Sequence, residues 1–321
     1  GKCCVQVRSP SPAGHRQVRS QNRRIVALRP SAVTLASQIA IFATATLSVT
    51  MLLGSAGLLS FGQGLYFGLG SYLAGLLMRD AGLALLPTIM VATLAGAALA
   101  AILGALTVRR EGVYFVMLTL AFAHMGYFAM LSMKDYTGGE NGLSGLPRSF
   151  TLLGATISSP TSFYLLTSLS FLIAFLAVQR VNASAMGSVL TAIRENPRRT
   201  EAMGYDVKLY KVALLAFAGA VAGLAGSLHA AYLGFVPPTN IELEMSQRLL
   251  VMSIIGGVQS PAGALVGATF YTLASELLSE LWARWLALIA ALLIAIVLYL
   301  PGGLWSVGTL LKDRLGRRTG P

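Results

Sequence analysis

Long apolar stretches separated by short polar ones dominate this chain. Uncharged runs cover residues 30–78, 81–108, 112–133, 149–179, 212–241, 249–275 and 285–311. A helix crossing a bilayer needs about 20 apolar residues, and these runs reach that length. They do not alternate polar and apolar positions, as the strands of a membrane barrel would. The pattern predicts an all-α, polytopic transmembrane bundle of about 8–9 hydrophobic segments, with broken or re-entrant helices among them. The segments fall at 33–54, 61–78, 83–108, 112–132, 162–180, 211–235, 245–257, 261–279 and 283–300. At 1.5 Å per residue the 245–257 segment is short for a crossing, so it is expected to be half a span or a re-entrant piece.

Two Gly-rich stretches interrupt the apolar pattern, GLLSFGQGL at 57–65 and GVQSPAGAL at 257–265. At an offset of 200 residues, Gly57 matches Gly257, Ser60 matches Ser260 and Leu65 matches Leu265. Paired helix interruptions point to a solute pathway near the membrane midplane, where freed backbone groups can meet a polar solute. Ser60, Gln63, Ser253 and Gln259 are uncharged polar residues on or beside these stretches. They either line such a path or satisfy the freed backbone. His124 lies 13 residues beyond Glu111, roughly 20 Å into its segment. It belongs to the path or bridges two helices as a neutral imidazole. His229, near the outer end of its segment, is expected to be structural. The spacings Gly64-x-x-x-Gly68, Gly219-x-x-x-Gly223 and Gly263-x-x-x-Gly267 predict close helix packing.

One polar island, residues 182–211, stands between the apolar runs with the sequence NASAMGSVLTAIRENPRRTEAMGYDVKLYK. It predicts two short helices. Ser188 is the expected cap of the first, which runs to about Glu195. Asn196 caps the second, Pro197 suits its first position, and Gly204 ends it in a left-handed conformation. The product is a compact amphipathic elbow under the membrane. Leu190, Ile193, Ala202 and Met203 are expected to dock, while the charges face water.

Charge then orients the chain. Of 321 residues, 55% are hydrophobic and 11% charged, and the mean hydropathy is +0.70. The net charge of +12 sits in loops and tails, so the positive-inside rule explains it without nucleic acid as a partner. Arg109, Arg110 and the island are separated by two segments and are basic, which places them on one, cytoplasmic side. The loop after 134 is then outside, and a basic tail at 306–321 is inside. Residues 31–305 form the transmembrane domain. Residues 1–30 are expected to be a basic disordered tail, and counting segments places it outside, against the rule. Cys3 and Cys4 give neither a disulfide framework nor a metal spacing. No Gly-x-x-x-x-Gly-Lys-Ser/Thr loop occurs, so any ATP that drives this protein is hydrolysed on another chain.

Several motifs in order add a resemblance. AIRENPRRTEAMG (192–204), followed by YDVKLYK and the span AFAGAVAGLAGSL, resembles the coupling segment of ABC-importer permeases. The similarity is greatest to branched-chain amino-acid permeases of the LivM type. GSAGLLSFGQGLYFGLGSY (54–72), GVYFVMLTLAFA (112–123), TGGENGLSGLP (137–147) and GGVQSPAGALVGA (256–268) resemble further stretches of that family. The resemblance covers about residues 38–305. It implies an ATP-driven permease subunit of the bacterial inner membrane, translocating branched-chain or other apolar amino acids by alternating access. It implies no enzyme activity and no cofactor in this chain, with ATP bound by partner subunits. The implied partners are a homologous permease, two cytoplasmic ATPases and a periplasmic binding protein, with the lipid bilayer around them. Coupling to the ATPases falls on Glu195, Asn196, Pro197, Glu201, Ala202 and Gly204. Docking of the binding protein falls on the outer loop, with Glu140 and Arg148 as polar contacts. Such permeases carry a further apolar helix before 33–54; the expectation is that residues 1–30 are not native and that this helix is missing. Two alternatives stay open: a urea or short-amide permease, and an ion-coupled secondary transporter. The latter needs membrane-embedded acids, and only Glu276 and Glu280 lie close to a late segment.

Overall fold

The computed structural model describes residues 13–110, 112–146, 150–152, 155–157, 159–281, 285–299 and 302–306, with side chains from residue 32 onward. Twelve α-helices carry the described fold. They are α1 Ala13–Ala56, α2 Gln63–Arg79, α3 Leu85–Thr107, α4 Val113–Ser132, the single turn α5 Lys134–Thr137, and α6 Pro160–Asn182. After these come α7 Ala185–Glu195, α8 Pro197–Ala202, α9 Val207–Leu233, α10 Leu243–Gly256, α11 Pro261–Leu281 and α12 Trp285–Tyr299. A small antiparallel hairpin, Phe150–Leu152 with Ala155–Ile157, interrupts the helical pattern in the outer loop. α1 begins at Ala13, inside the stretch expected to be disordered.

Among the described residues, five helices are long and apolar enough to span a bilayer, and a bent pair makes up to six. This is fewer than the 8–9 hydrophobic segments counted from the sequence. α2 has 17 residues and α12 has 15, so both are apolar but short. α10 and α11 meet at a 112° bend, which fits the half-span or re-entrant piece expected at 245–257.

The spans divide into a centre and a rim. α1 and α9 are largely buried, whereas α3, α4 and α6 bury only a stripe. On α3 that stripe is Leu85, Thr88, Ala92, Gly96, Ala100 and Gly104, the spacing of a single helical face. The other faces carry Met90, Leu94, Ile102, Met117, Phe128, Leu169 and Ile173, all exposed. An apolar exterior around a closely packed interior is what lipid requires.

Glycine sets how closely the central helices approach. A Cβ on Gly226 would strike the Phe67 carbonyl, and one on Gly219 would strike Ala100. Gly223 lies against the Ala92 carbonyl and Gly96, so α2, α3 and α9 meet backbone to backbone. Gly267 does the same for α11 against Met252 of α10. The three glycine spacings noted in the sequence are therefore packing contacts.

Both expected helix interruptions are present. α1 ends at Ala56 and α2 starts at Gln63; α10 ends at Gly256 and α11 starts at Pro261. Gly57 (φ +66°) and Gly257 (φ +109°) turn the chain out of each helix in a conformation L side chains rarely adopt. The first break is partly covered by protein: Ser60 and Gly62 are buried, whereas Gly57 is exposed. Its polar groups find side chains: Phe61 N donates to Thr119 Oγ1 (3.3 Å), and Gly62 N donates to Ser60 Oγ (3.2 Å). Ser246 Oγ donates to Phe61 O (2.6 Å) and accepts from Gly64 N (2.8 Å).

Candidate functional site

The polar island folds as a rigid elbow. The cap of α7 is Ser184, not Ser188 as the sequence suggested. Ser188 lies inside the helix, its hydroxyl donating to Ala185 O (2.8 Å). The turn after α6 is short, and Gly187 packs where a Cβ would strike Asn182, so the helix starts one turn earlier. Asn196 takes extended backbone and its Oδ1 accepts from Arg199 N (3.1 Å), with Pro197 opening α8. Thr200 adds a bond to Asn196 O (3.1 Å). Gly204 follows α8 at φ +91°, its N donating to Glu201 O (2.9 Å). Asp206, unremarked in the sequence, caps α9 by accepting from Lys208 N (3.1 Å) and Leu209 N (3.3 Å). Its position before Val-Lys-Leu carried that signal.

The elbow has an inner and an outer face. Leu190 and Ile193 are fully buried among Met51, Leu52, Phe115, Val178 and Leu214, so α7 is fastened to α1 and α9 by apolar packing. Ala202 and Met203, expected to dock as well, are exposed, Met203 by 67%. α8 is under two turns long and its buried side is taken by Thr200, which leaves Ala202 and Met203 on the opposite side. Glu195, Asn196, Glu201 and Gly204 are exposed with them, and Pro197 is half-buried. Met203 and Tyr205 thus stand exposed among charges.

A second feature lies where the two breaks meet inside the bundle. Thr46 and Thr50 of α1 meet Met252 and Ser253 of α10, Ser48 on the other face of α1 meets Gln63 of α2, and Ser246 of α10 meets Gly64 of α2. Thr50 Oγ1 and Ser253 Oγ are 2.9 Å apart, and Thr46 Oγ1 donates to Met252 Sδ (3.5 Å). Ser48 Oγ lies 2.6 Å from Ala45 O and 3.0 Å from Gln63 Oε1. A serine hydroxyl carries one proton, and the shorter contact takes it. Ser48 can then only accept from Gln63, which puts the amide nitrogen toward Ser48. As placed, with its oxygen toward Ser48, the amide nitrogen of the fully buried Gln63 has no hydrogen-bond partner. The lining of this seam is uncharged, and it is closed along its length.

The remaining predicted residues lie apart from it. Ser60 is buried and satisfies the first break. Gln259 is exposed on the second break and lines cavities beside Gly54 and Arg194. His124 is exposed on the rim helix α4, away from the seam. Glu140 is exposed on the outer loop, which is pinned by Leu143 pairing with Val236 (3.0 and 2.9 Å). Arg148 lies outside the described residues. His229 is buried between Phe42 and Phe67, with Nδ1 3.3 Å from Asn240 Nδ2, a structural setting.

Comparison with known proteins agrees with this geometry. A family described as branched-chain amino acid transport system, permease component, matches residues 31–298. High-affinity branched-chain amino acid transport system permease protein LivM of Salmonella typhimurium is 25% identical over 295 residues, covering 85% of this chain and 69% of its own. LivM of Escherichia coli has the same identity and coverage. The autoinducer 2 import system permease protein LsrC of an Enterobacter species is 29% identical over 295 residues, covering 87% of this chain and 83% of its own. No solved structure matches the chain. With the family matched over residues 31–298, from within α1 to α12, the chain belongs to the permease components of branched-chain amino acid transport systems, a family of multi-pass ABC permeases.

Proposed function

We propose that this chain is the transmembrane permease subunit of an ATP-driven importer in a bacterial inner membrane. It translocates branched-chain or other apolar amino acids by alternating access. The observation that carries this reading is the elbow: α7 fastened to α1 and α9 by Leu190 and Ile193, followed by the capped α8, presenting Glu195, Glu201, Ala202, Met203 and Gly204 outward. A stiff, exposed elbow transmits a push from a cytoplasmic partner better than a loop would. Two ATPase subunits dock there and hydrolyse the ATP. A homologous permease completes the membrane unit, and a periplasmic binding protein delivers substrate to the outer loop that carries Glu140. The substrate passes between α1, α2 and α10 along the hydroxyl seam, where the open amide atom of Gln63 gives it a transient partner. An uncharged seam binds weakly, so selectivity resides in the binding protein.

The same uncharged lining favours a second reading, a permease for urea or short amides, which need no charged partner. Both are tested in proteoliposomes holding this chain with its partner subunits and binding protein. ATP at the elbow side should drive accumulation of labelled leucine and not of labelled urea. Leucine uptake that ignores ATP and follows an ion gradient overturns the importer reading, and urea uptake replaces its substrate.

A further inference from the structure

The end of α7 reaches into the first helix break. Arg194, in the last turn of α7, donates from Nη1 to Gly54 O at 2.6 Å, across 140 residues of sequence. Gly54 belongs to the last turn of α1, whose carbonyls lack partners within the helix. A guanidinium there is favoured by the helix dipole as well as by a charge-assisted bond. The stem of Arg194 runs against Gly57, where a Cβ would lie 3.2 Å from its Cγ. Gly54 in turn packs on the Val258 carbonyl of the second break, too closely for any side chain. One cavity beside Arg194 is lined by Gly57, Arg110 and Pro197; another is lined by Gly57, Gly257 and Gln259. Arg194 therefore stands between the elbow and the point where both breaks touch.

We propose that Arg194 is a positioning residue that latches the cytoplasmic end of the hydroxyl seam. Its bond to Gly54 O holds the end of α1 against the second break while the elbow is at rest. Rotation of α7 about its Leu190 and Ile193 packing withdraws the guanidinium, frees the end of α1, and lets α1 part from α10 at Thr50 and Ser253. Its meaning for transport rests on the importer reading, whereas the latch itself can be tested without partners or ATP.

The test places a cysteine at Ser253, fully buried beneath the breaks, in a chain with Cys3 and Cys4 changed to serine. The protein is reconstituted in lipid nanodiscs and labelled with a membrane-impermeant maleimide. Labelling should be slow with Arg194 present. Arg194→Met keeps the stem against Gly57 and removes the donor, and should label about threefold faster, the scale of one solvent-exposed charged contact. Arg194→Lys keeps a donor and a charge, and should stay near the slow rate. Equal labelling of the Arg and Met forms overturns the latch, as does a Lys form as fast as Met. Size-exclusion profiles of all forms show whether the fold is kept. Absence of ATP-driven uptake by the intact complex would defeat the importer reading and leave the labelling result standing.

Discussion

At the scale of single residues, Gly204 shows what the elbow demands of its chemistry. It sits at φ +91°, and nothing lies within 4 Å of where a Cβ would be. A side chain at this position meets no neighbour; the strain is in the backbone alone. Gly204→Val should therefore leave the membrane core intact and distort only the exit from α8. Expression and size-exclusion behaviour should match the native protein, while ATPase stimulation by loaded binding protein in the reconstituted complex falls severalfold. Undiminished stimulation would show that the α8 exit does not contact the ATPase. This residue was legible in the sequence because a Gly after a short capped helix has one common use. Arg194 was not legible, because its partner is a backbone carbonyl on a helix 140 residues away, and local pattern carries no information about such pairs. His124 shows a different limit. Depth in a span was readable from spacing, but the direction it faces was not, and it faces outward from α4.

At the scale of elements, capping and breakage account for the helix boundaries that matter. α8 has six residues, too few to be stable by helix propensity, so it depends on its ends. Asn196 supplies the first end through the bond to Arg199 N. Asn196→Ala should cost about 1 kcal/mol of local stability. Hydrogen exchange should then speed up at the amides of residues 198–202 and stay unchanged in α9, and Asn196→Asp should restore protection. Unaltered exchange in the Ala form would mean that packing of Thr200, not the cap, holds α8. Both helix breaks were legible because Gly and Pro interrupt apolar runs within otherwise span-length segments. The start of α7 was not, since Ser184 and Ser188 both satisfy the local rule and only the short turn after α6 decides between them. The span count was overstated for a related reason. The division into α10 and α11 and the short α2 were visible as segments, but which segments cross the bilayer on their own was not, because that depends on the 112° bend the packing imposes.

At the scale of the whole molecule, one seam decides whether the bundle can work as a gate. α1 touches α10 through Thr50 and Ser253 at 2.9 Å and meets α2 at Ser48 and Gln63, so polar contacts interrupt an interface that Phe42 and Val49 otherwise pack against Met245, Leu249 and Met252. Such contacts are cheap to exchange for contacts with water or solute, because each hydroxyl keeps a partner either way. The glycine-packed unit of α2, α3 and α9 is the opposite case, since separating backbones in van der Waals contact loses many contacts at once. Opening is therefore expected between α1 and α10, with α2, α3 and α9 moving as one body. A Thr50→Cys, Ser253→Cys double variant, without Cys3 and Cys4, tests this directly. The hydroxyl separation is short enough for an oxidant to close a disulfide there. Oxidised protein in the reconstituted complex should lose ATP-driven uptake, by at least about tenfold if α1 and α10 must separate in each cycle, and reduction should restore it. Each single variant should transport with or without oxidant. A crosslinked pair that still transports at the reduced rate would place the route elsewhere in the bundle, and the rigid unit would then have to be sought around α1 instead.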